Sequence, residues 1–288
     1  MNDRIVACIN FQLFIKNQLY QFVKGWKRMK IALLHFDLAN GPREKNEKKL
    51  LQGIKEASSH GANWILTPET ALEGYFFYKN DTYALNKMSI RKQDDFKEFY
   101  EIAEQKQITL FLSAAEKTSD KKAYNSCFIL TPDGKEKGVH RKIYSHQSGA
   151  EGWISLGEEA EVYSLNGIKT GVLVCADAYY EHPSRMVKNG GAELVLVSAA
   201  WPPGECCKNP ETVWARTSLW TDCPVCVCNQ TGTYHGMDMT IAKSAVLDKG
   251  NCLFTYQGDP AILLWSFDEK EKKVISDNFE VIPFKEIS

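Results

Sequence analysis

Short apolar runs that alternate with helix-period segments constrain this chain more than any other feature of it. Residues 31–36 form one such run. Leu50, Leu51, Ile54 and Ala57 then recur at helical spacing, and Gly61 stands where that helix would stop. Trp64, Ile65 and Leu66 make the next run, which closes at Pro68 and Glu69. Phe96, Phe99, Tyr100 and Ala103 return to the helical period, and residues 108–114 to a strand. Residues 124–130 read as a further strand, closed by the turn Thr131-Pro132-Asp133-Gly134. The pattern resumes with strands at 168–174, 194–198, 224–228, 242–247 and 261–267. Helices fall between them at 185–188, stopped by Gly190 and Gly191, and at 211–220. This order predicts one α/β domain with helices covering sheets, and two facing sheets would house that many strands.

A chain of 288 residues is ample for one core of this kind. Its formal net charge is −1, which leaves no global field to draw in nucleic acid or an anionic membrane. No stretch has the length or purity of a transmembrane helix. The nine cysteines are odd in number and form no even framework, which suits a reducing, cytoplasmic setting with free thiols. Residues 1–28 are set apart. Their apolar stretch is broken by Asn10, Lys16 and Asn17, and they lack the layout of a secretory signal. They read as an appended segment before a domain spanning 29–288.

Three residues stand out for chemistry. Cys175 follows Val172-Leu173-Val174 at the C-terminal end of a strand, the edge where open α/β folds bind ligands. Ala176, next in line, could offer a backbone N–H to a developing oxyanion. A thiol needs a base, and none of the six histidines has a papain-like or caspase-like setting. Glu69 also sits at a strand end, where Pro68 stops the ladder, and a carboxylate on an apolar floor beside a cation can serve as general base. Lys142, after the turn at Asp133-Gly134, would stabilise neighbouring anions. Singly, each also reads blandly: a buried thiol, a solvated acid, one charge in a basic stretch. Cys223, Cys226 and Cys228 read as core packing rather than as a zinc site, because Cys226 and Cys228 alternate with valines on a buried strand.

Together the contexts resemble the nitrilase superfamily of carbon–nitrogen hydrolases. The matching segments are Pro68-Glu69 with Gly74-Tyr75, Tyr124-Asn125-Ser126, Pro132-Asp133-Gly134, Arg141-Lys142, Cys175-Ala176-Asp177 with Arg185, and Gly191-Ala192-Glu193-Leu194. Ala199-Ala200-Trp201-Pro202, Arg216, Cys228-Asn229-Gln230-Thr231-Gly232, and Ser244 with Asp248-Lys249-Gly250 follow in order. The resemblance runs from about residue 29 to about residue 267, and the shared order is far more specific than any one motif.

The resemblance implies a four-layer αββα sandwich, a Glu69-Lys142-Cys175 triad, pairing into homodimers or larger assemblies, and no metal or organic cofactor. It implies cleavage of a small amide or N-carbamoyl compound through a cysteine thioester. Acyl transfer to another acceptor or partner, and nitrile hydrolysis, are the alternatives. It also implies a second glutamate that positions substrate, for which Glu151 is the candidate. Nitrile-cleaving relatives usually show Cys-Trp-Glu, so Cys175-Ala176-Asp177 favours amides. Many amidase and carbamoylase relatives place an arginine just after the cysteine; here Tyr179, Tyr180 and Glu181 stand instead. That departure counts against an ω-amidase or a carbamoyl-amino-acid hydrolase. Tyr179 and Glu181 would then face a neutral or cationic substrate, or cap the turn without touching ligand. Tyr75, Phe76 and Trp201 are candidates to line the pocket, with core packing the alternative for Phe76.

Overall fold

Side chains alternate across a strand, so one strand can serve two layers at once. In the first strand Met29, Ile31 and Leu33 join a core between two sheets, while Ala32 and Leu34 join a second core beneath helices. The computed structural model describes residues 28–81, 83–88, 93–147, 149–203, 209–234 and 237–286. The expectation for residues 1–28 therefore lies outside the described residues except at Arg28, which opens the first strand.

In chain order the early strands are β1 (Arg28–His35), β2 (Trp64–Leu66), β3 (Thr109–Lys117), β4 (Ala123–Leu130), β5 (Glu136–Arg141), β6 (Val162–Leu165) and β7 (Ile168–Val174). There follow β8 (Leu194–Ser198), β9 (Val225–Cys228), β10 (Thr233–Tyr234), β11 (Met237–Asp238) and β12 (Lys243–Asp248). The last are β13 (Asn251–Gln257), β14 (Ala261–Asp268), β15 (Lys273–Val274) and β16 (Glu280–Pro283). One sheet runs β15-β14-β1-β2-β3-β4-β5, with β16 beside β14; the other runs β13-β12-β9-β8-β7-β6. Each has a parallel centre, β1-β2-β3 and β7-β8-β9, flanked by antiparallel strands.

The inner faces meet. Trp64, Leu66, Phe111 and Ile129 of one sheet share a core with Val172, Leu196, Val227 and Val246 of the other. The outer face of the first sheet is covered by α1 (Arg43–Ser59) and α2 (Lys97–Lys106), through Leu50, Ile54, Ala57, Phe99 and Ala103. The second sheet packs against α3 (Glu181–Asn189) and α4 (Pro210–Thr221), through Val187, Val213 and Trp214. Gly171 lets α3 come close, because a Cβ there would lie 2.9 Å from that of Val187. These are the four layers the resemblance implied. Among the described residues no helix is long and apolar enough to cross a membrane.

The expected elements form, with shifted ends. α3 begins at Glu181 rather than at 185, and β3 runs on to Lys117. Strands β5, β6, β10, β11, β13, β15 and β16 were not foreseen. The parallel strands of both sheets point their C-terminal ends at one seam between the layers, which is where the candidate residues sit.

Candidate active site

β2 is only three residues long. Thr67 still bonds Phe111 O through its N–H (3.0 Å) and its hydroxyl (3.1 Å). Pro68 has no N–H to continue the ladder. The chain turns across the seam instead, and Glu69 N–H donates to Ala199 O (3.3 Å) of the other sheet's strand end. This places the Glu69 side chain in full burial between the layers. Its Oε1 accepts from Lys142 Nζ (2.6 Å) and Asn125 Nδ2 (2.7 Å), and its Oε2 from Ala200 N (3.0 Å). Gln230 Nε2 donates to the Glu69 backbone carbonyl at 2.6 Å.

Lys142 follows β5 directly, its N–H anchored on Asn125 O (2.8 Å). Its buried Nζ bridges two carboxylates, Glu69 and Glu151. Glu151 ends a single 3₁₀ turn, Gly149–Glu151, and its Oε2 accepts from Ser145 Oγ (2.6 Å). Cys175 follows β7 with φ of 45°, a left-handed backbone that a side chain rarely tolerates. Such strain gathers at functional positions. The bend aims the buried thiol at the Glu69 carboxylate and at the Ala200 N–H.

The electrostatics separate the two glutamates. Burial drives the Glu69 carboxyl above its ordinary range, and Lys142 only partly opposes this. Burial acts on Glu151 in the same sense, but there the Lys142 charge and the Lys142 and Ser145 hydrogen bonds prevail, so its carboxyl lies below the ordinary range. Burial would discharge Lys142; Glu69, Cys175 and Glu151 outweigh it and keep the ammonium charged. Burial first, then the Glu69 charge, lifts the Cys175 thiol well above an ordinary cysteine despite Lys142. The arrangement is a neutral thiol beside a carboxyl that readily holds a proton, with a fixed ion pair behind it.

Glu69, Lys142, Glu151 and Cys175, separated by up to 106 residues in sequence, are thus brought together. Ala176 is half-buried at the start of the short 3₁₀ segment Cys175–Tyr179. Tyr75 is half-buried, and its phenol is pushed well above its ordinary value by burial and by the charges of Glu69 and Glu151. Trp201 is buried, with its backbone N–H on Asn229 Oδ1 (2.8 Å), its ring edge-on to Trp214, and the Tyr179 ring stacked with it at 6.4 Å. Arg216 lies over the Tyr179 ring and donates to the Tyr179 carbonyl (3.1 Å).

Glu181 is exposed and pairs with Arg185 one turn along α3 (2.9 Å). Phe76 packs into a small core with Tyr234, Met239 and Ala242. Cys223, Cys226 and Cys228 are buried as expected, and no metal-ligand cluster occurs among the described residues. Asn125, Ser145, Ala200 and Gln230 received no role from the sequence. Asn125, Ala200 and Gln230 stand inside the motifs of the resemblance, and the one signal that could have found two of them is a polar side chain on or just past a buried strand, Asn125 near the start of β4 and Gln230 just after β9.

Comparison with known proteins bears on the family and the fold. Residues 30–253 match the carbon–nitrogen hydrolase family model. The chain is 27% identical to 2-oxoglutaramate amidase of Bacillus subtilis over 207 residues, 70% of this chain and 76% of the relative. It is 26% identical to glutamine-dependent NAD(+) synthetase of Acinetobacter baylyi over 253 residues, 85% of this chain, and spans only 43% of that relative's length. Its fold matches a mutant of the amidase from Nesterenkonia sp. AN1 that shows covalent addition of the acetamide moiety of fluoroacetamide at the active site cysteine. That match has a TM-score of 0.74 at 21% identity and covers 85% of this chain and 92% of the other.

Proposed function

The chain belongs to the carbon–nitrogen hydrolase family, and from that premise we propose that it hydrolyses a small amide or N-carbamoyl compound through a thioester on Cys175. One observation carries the reading. Two buried carboxylates share one lysine, and their proton affinities are pushed apart, Glu69 up and Glu151 down. Such splitting assigns roles: one group moves protons and the other stays an anion.

The steps follow from the charges. The raised thiol holds no standing thiolate, so Cys175 Sγ attacks the carbonyl carbon as Glu69 takes its proton. Glu69 becomes neutral as the oxyanion forms. The Lys142 ammonium it had shared is then free to turn to the oxyanion, together with the Ala176 N–H. Glu151 keeps Lys142 charged and in place. Glu69 returns the proton to the leaving nitrogen, the C–N bond breaks, and amine or ammonia departs. Water then attacks the thioester with Glu69 again as base. Carboxylic acid leaves, and the thiol regains its proton.

The substrate reading is a neutral primary amide. Both named relatives concern compounds with a primary carboxamide, 2-oxoglutaramate and glutamine. Yet Tyr179 and Tyr180 stand where a carboxylate-binding arginine would follow the nucleophile, and Lys142 is committed to two carboxylates. Homo-oligomeric assembly is part of the same proposal. The test is ammonia release from a panel of small amides, carbamoyl amines and nitriles, with intact mass for an acyl adduct. Amide turnover that vanishes in Cys175→Ala is the expected result. Full turnover in that variant would refute the reading.

A further inference from the structure

Lys142 and Cys175 lie on different sheets, and one buried side chain spans the gap between their strands. Asp177, two residues past the nucleophile, is fully shielded from solvent. Its Oδ1 accepts the N–H groups of Ile143 and Tyr144, both at 2.9 Å. Its Oδ2 accepts the Val174 N–H at 3.0 Å and His140 Nε2 at 2.8 Å. All four lone-pair positions of the carboxylate are used. The donors bracket the site. His140, Ile143 and Tyr144 flank Lys142, and Val174 directly precedes Cys175. His140 is itself buried, and its Nδ1 has no protein partner among the described residues, so its ring serves Asp177 alone. Because Oδ2 is an acceptor, Nε2 carries the hydrogen.

We propose that Asp177, locked by His140, is a positioning residue that fixes the end of β5 against the end of β7 and thereby sets Lys142 and Glu69 against the Cys175 thiol. It touches no reacting atom. The proposal rests on Cys175 as nucleophile. Cys175 is held in a left-handed conformation, which persists only where its neighbours over-determine it. Asp177 supplies that constraint on the Val174 side and fixes the Lys142 segment from the same two oxygens. A displacement of about 1 Å between reacting groups costs about a hundredfold in rate, so the tie need slip only slightly to matter.

The variants divide the bonds. Asp177→Asn keeps one oxygen for Ile143 and Tyr144 but turns an NH₂ toward Val174 N–H, a donor that cannot adapt. His140→Gln retains a donor toward Asp177; His140→Leu does not. The probe is iodoacetamide, with the alkylation rate of Cys175 followed by peptide mass at a temperature well below each variant's melting point. The expectation is Glu69-assisted alkylation of Cys175 in the unaltered chain and slowing by about a hundredfold in Asp177→Asn. His140→Leu should slow it too, and His140→Gln should restore most of the rate. On the best amide of the panel, kcat should fall with KM little changed.

Two results would overturn the tie: a folded Asp177→Asn that alkylates at the original rate, or a His140→Gln no faster than His140→Leu. Amide turnover that survives in Cys175→Ala would instead bring down the nucleophile assignment, and this proposal with it.

Discussion

Lys142 Nζ donates to Glu69 Oε1 across 2.6 Å with both side chains sealed from solvent. The pair is not a simple bridge, because Lys142 also holds Glu151. One cation is therefore shared by two buried acids, and it only partly opposes the burial that raises the proton affinity of Glu69.

Lys142→Met should expose that dependence. Removing one member of a buried ion pair costs about 3–5 kcal/mol, because the partner charge is left uncompensated. Here two carboxylates are left. Both then prefer their protonated form in the fold, with affinities above those of the unfolded chain. Stability from such groups is full below the unfolded value, near pH 4, and is lost as pH rises through the folded one. The deficit of Lys142→Met against the unaltered chain should thus be large near pH 7 and shrink toward about pH 5. Thermal melts across that range check it, and a pH-independent deficit would count against the shared-cation picture.

The pH profile of kcat/KM follows from the same directions. Activity needs Glu69 ionised in the free enzyme, and burial has moved that group up. The acid limb should therefore lie above the ordinary glutamate value of about 4.3. The thiol and Lys142 are both shifted upward, so neither should bend the profile near neutrality. Activity should rise once and then stay level through about pH 9, where an ordinary thiol would already be ionising. A second rise between about pH 8 and 9 would mean that a standing thiolate, not base-assisted attack, carries the reaction.

Cys175 makes a backbone prediction as well as a chemical one. Alanine and glycine at this position should both be inactive. At most buried positions glycine is the less stable of the two. At φ of 45° a Cβ costs about 1–2 kcal/mol that glycine avoids. Cys175→Gly should therefore unfold no earlier than Cys175→Ala in denaturant melts, the reverse of the usual order.

How much of this was legible in the sequence depends on which faces of a strand are dry. β2, β8 and β9 are buried throughout, so their sequences are unbroken apolar runs and stood out at once. β5 reads Glu-Lys-Gly-Val-His-Arg and β13 is mostly exposed; both are sheet edges with one wet side, and no apolar run marks them. The site divides in the same way. Glu69, Lys142 and Cys175 each follow the end of a strand within a recognisable local pattern. The Ala200 N–H on Glu69, the Gln230 amide on its carbonyl and the Ser145 hydroxyl on Glu151 arise only when the layers close. Backbone donors leave no trace in residue identity, and a side-chain amide or hydroxyl names no partner. Asp177 illustrates the limit: its place after the nucleophile was plain, while its hold on the Lys142 segment depends on two sheets meeting.

Gly157 offers a test of how rigidly that segment must be held. Its N–H donates to the Lys142 carbonyl at 2.8 Å, and a Cβ built on it would lie 2.2 Å from the Arg141 carbonyl oxygen. That oxygen is backbone at the end of β5, so it cannot swing aside as a side chain would. Nor can β5 retreat easily: Arg141 holds the buried Glu116 carboxylate by two 2.8 Å bonds, and Ser126 donates to the same group. Gly157→Ala must therefore push its own loop outward or draw Lys142 back from Glu69. Overpacking of this kind costs about 1–3 kcal/mol. If the loop yields, melting falls and kcat survives; if β5 yields, kcat falls well beyond the stability loss. The bonded end of β5 is the stiffer side of the contact, so the expectation is a lowered melting point with kcat largely retained. Measuring both on one preparation decides which side moves, and a collapse of kcat would show that Lys142 is held less firmly than its hydrogen bonds imply.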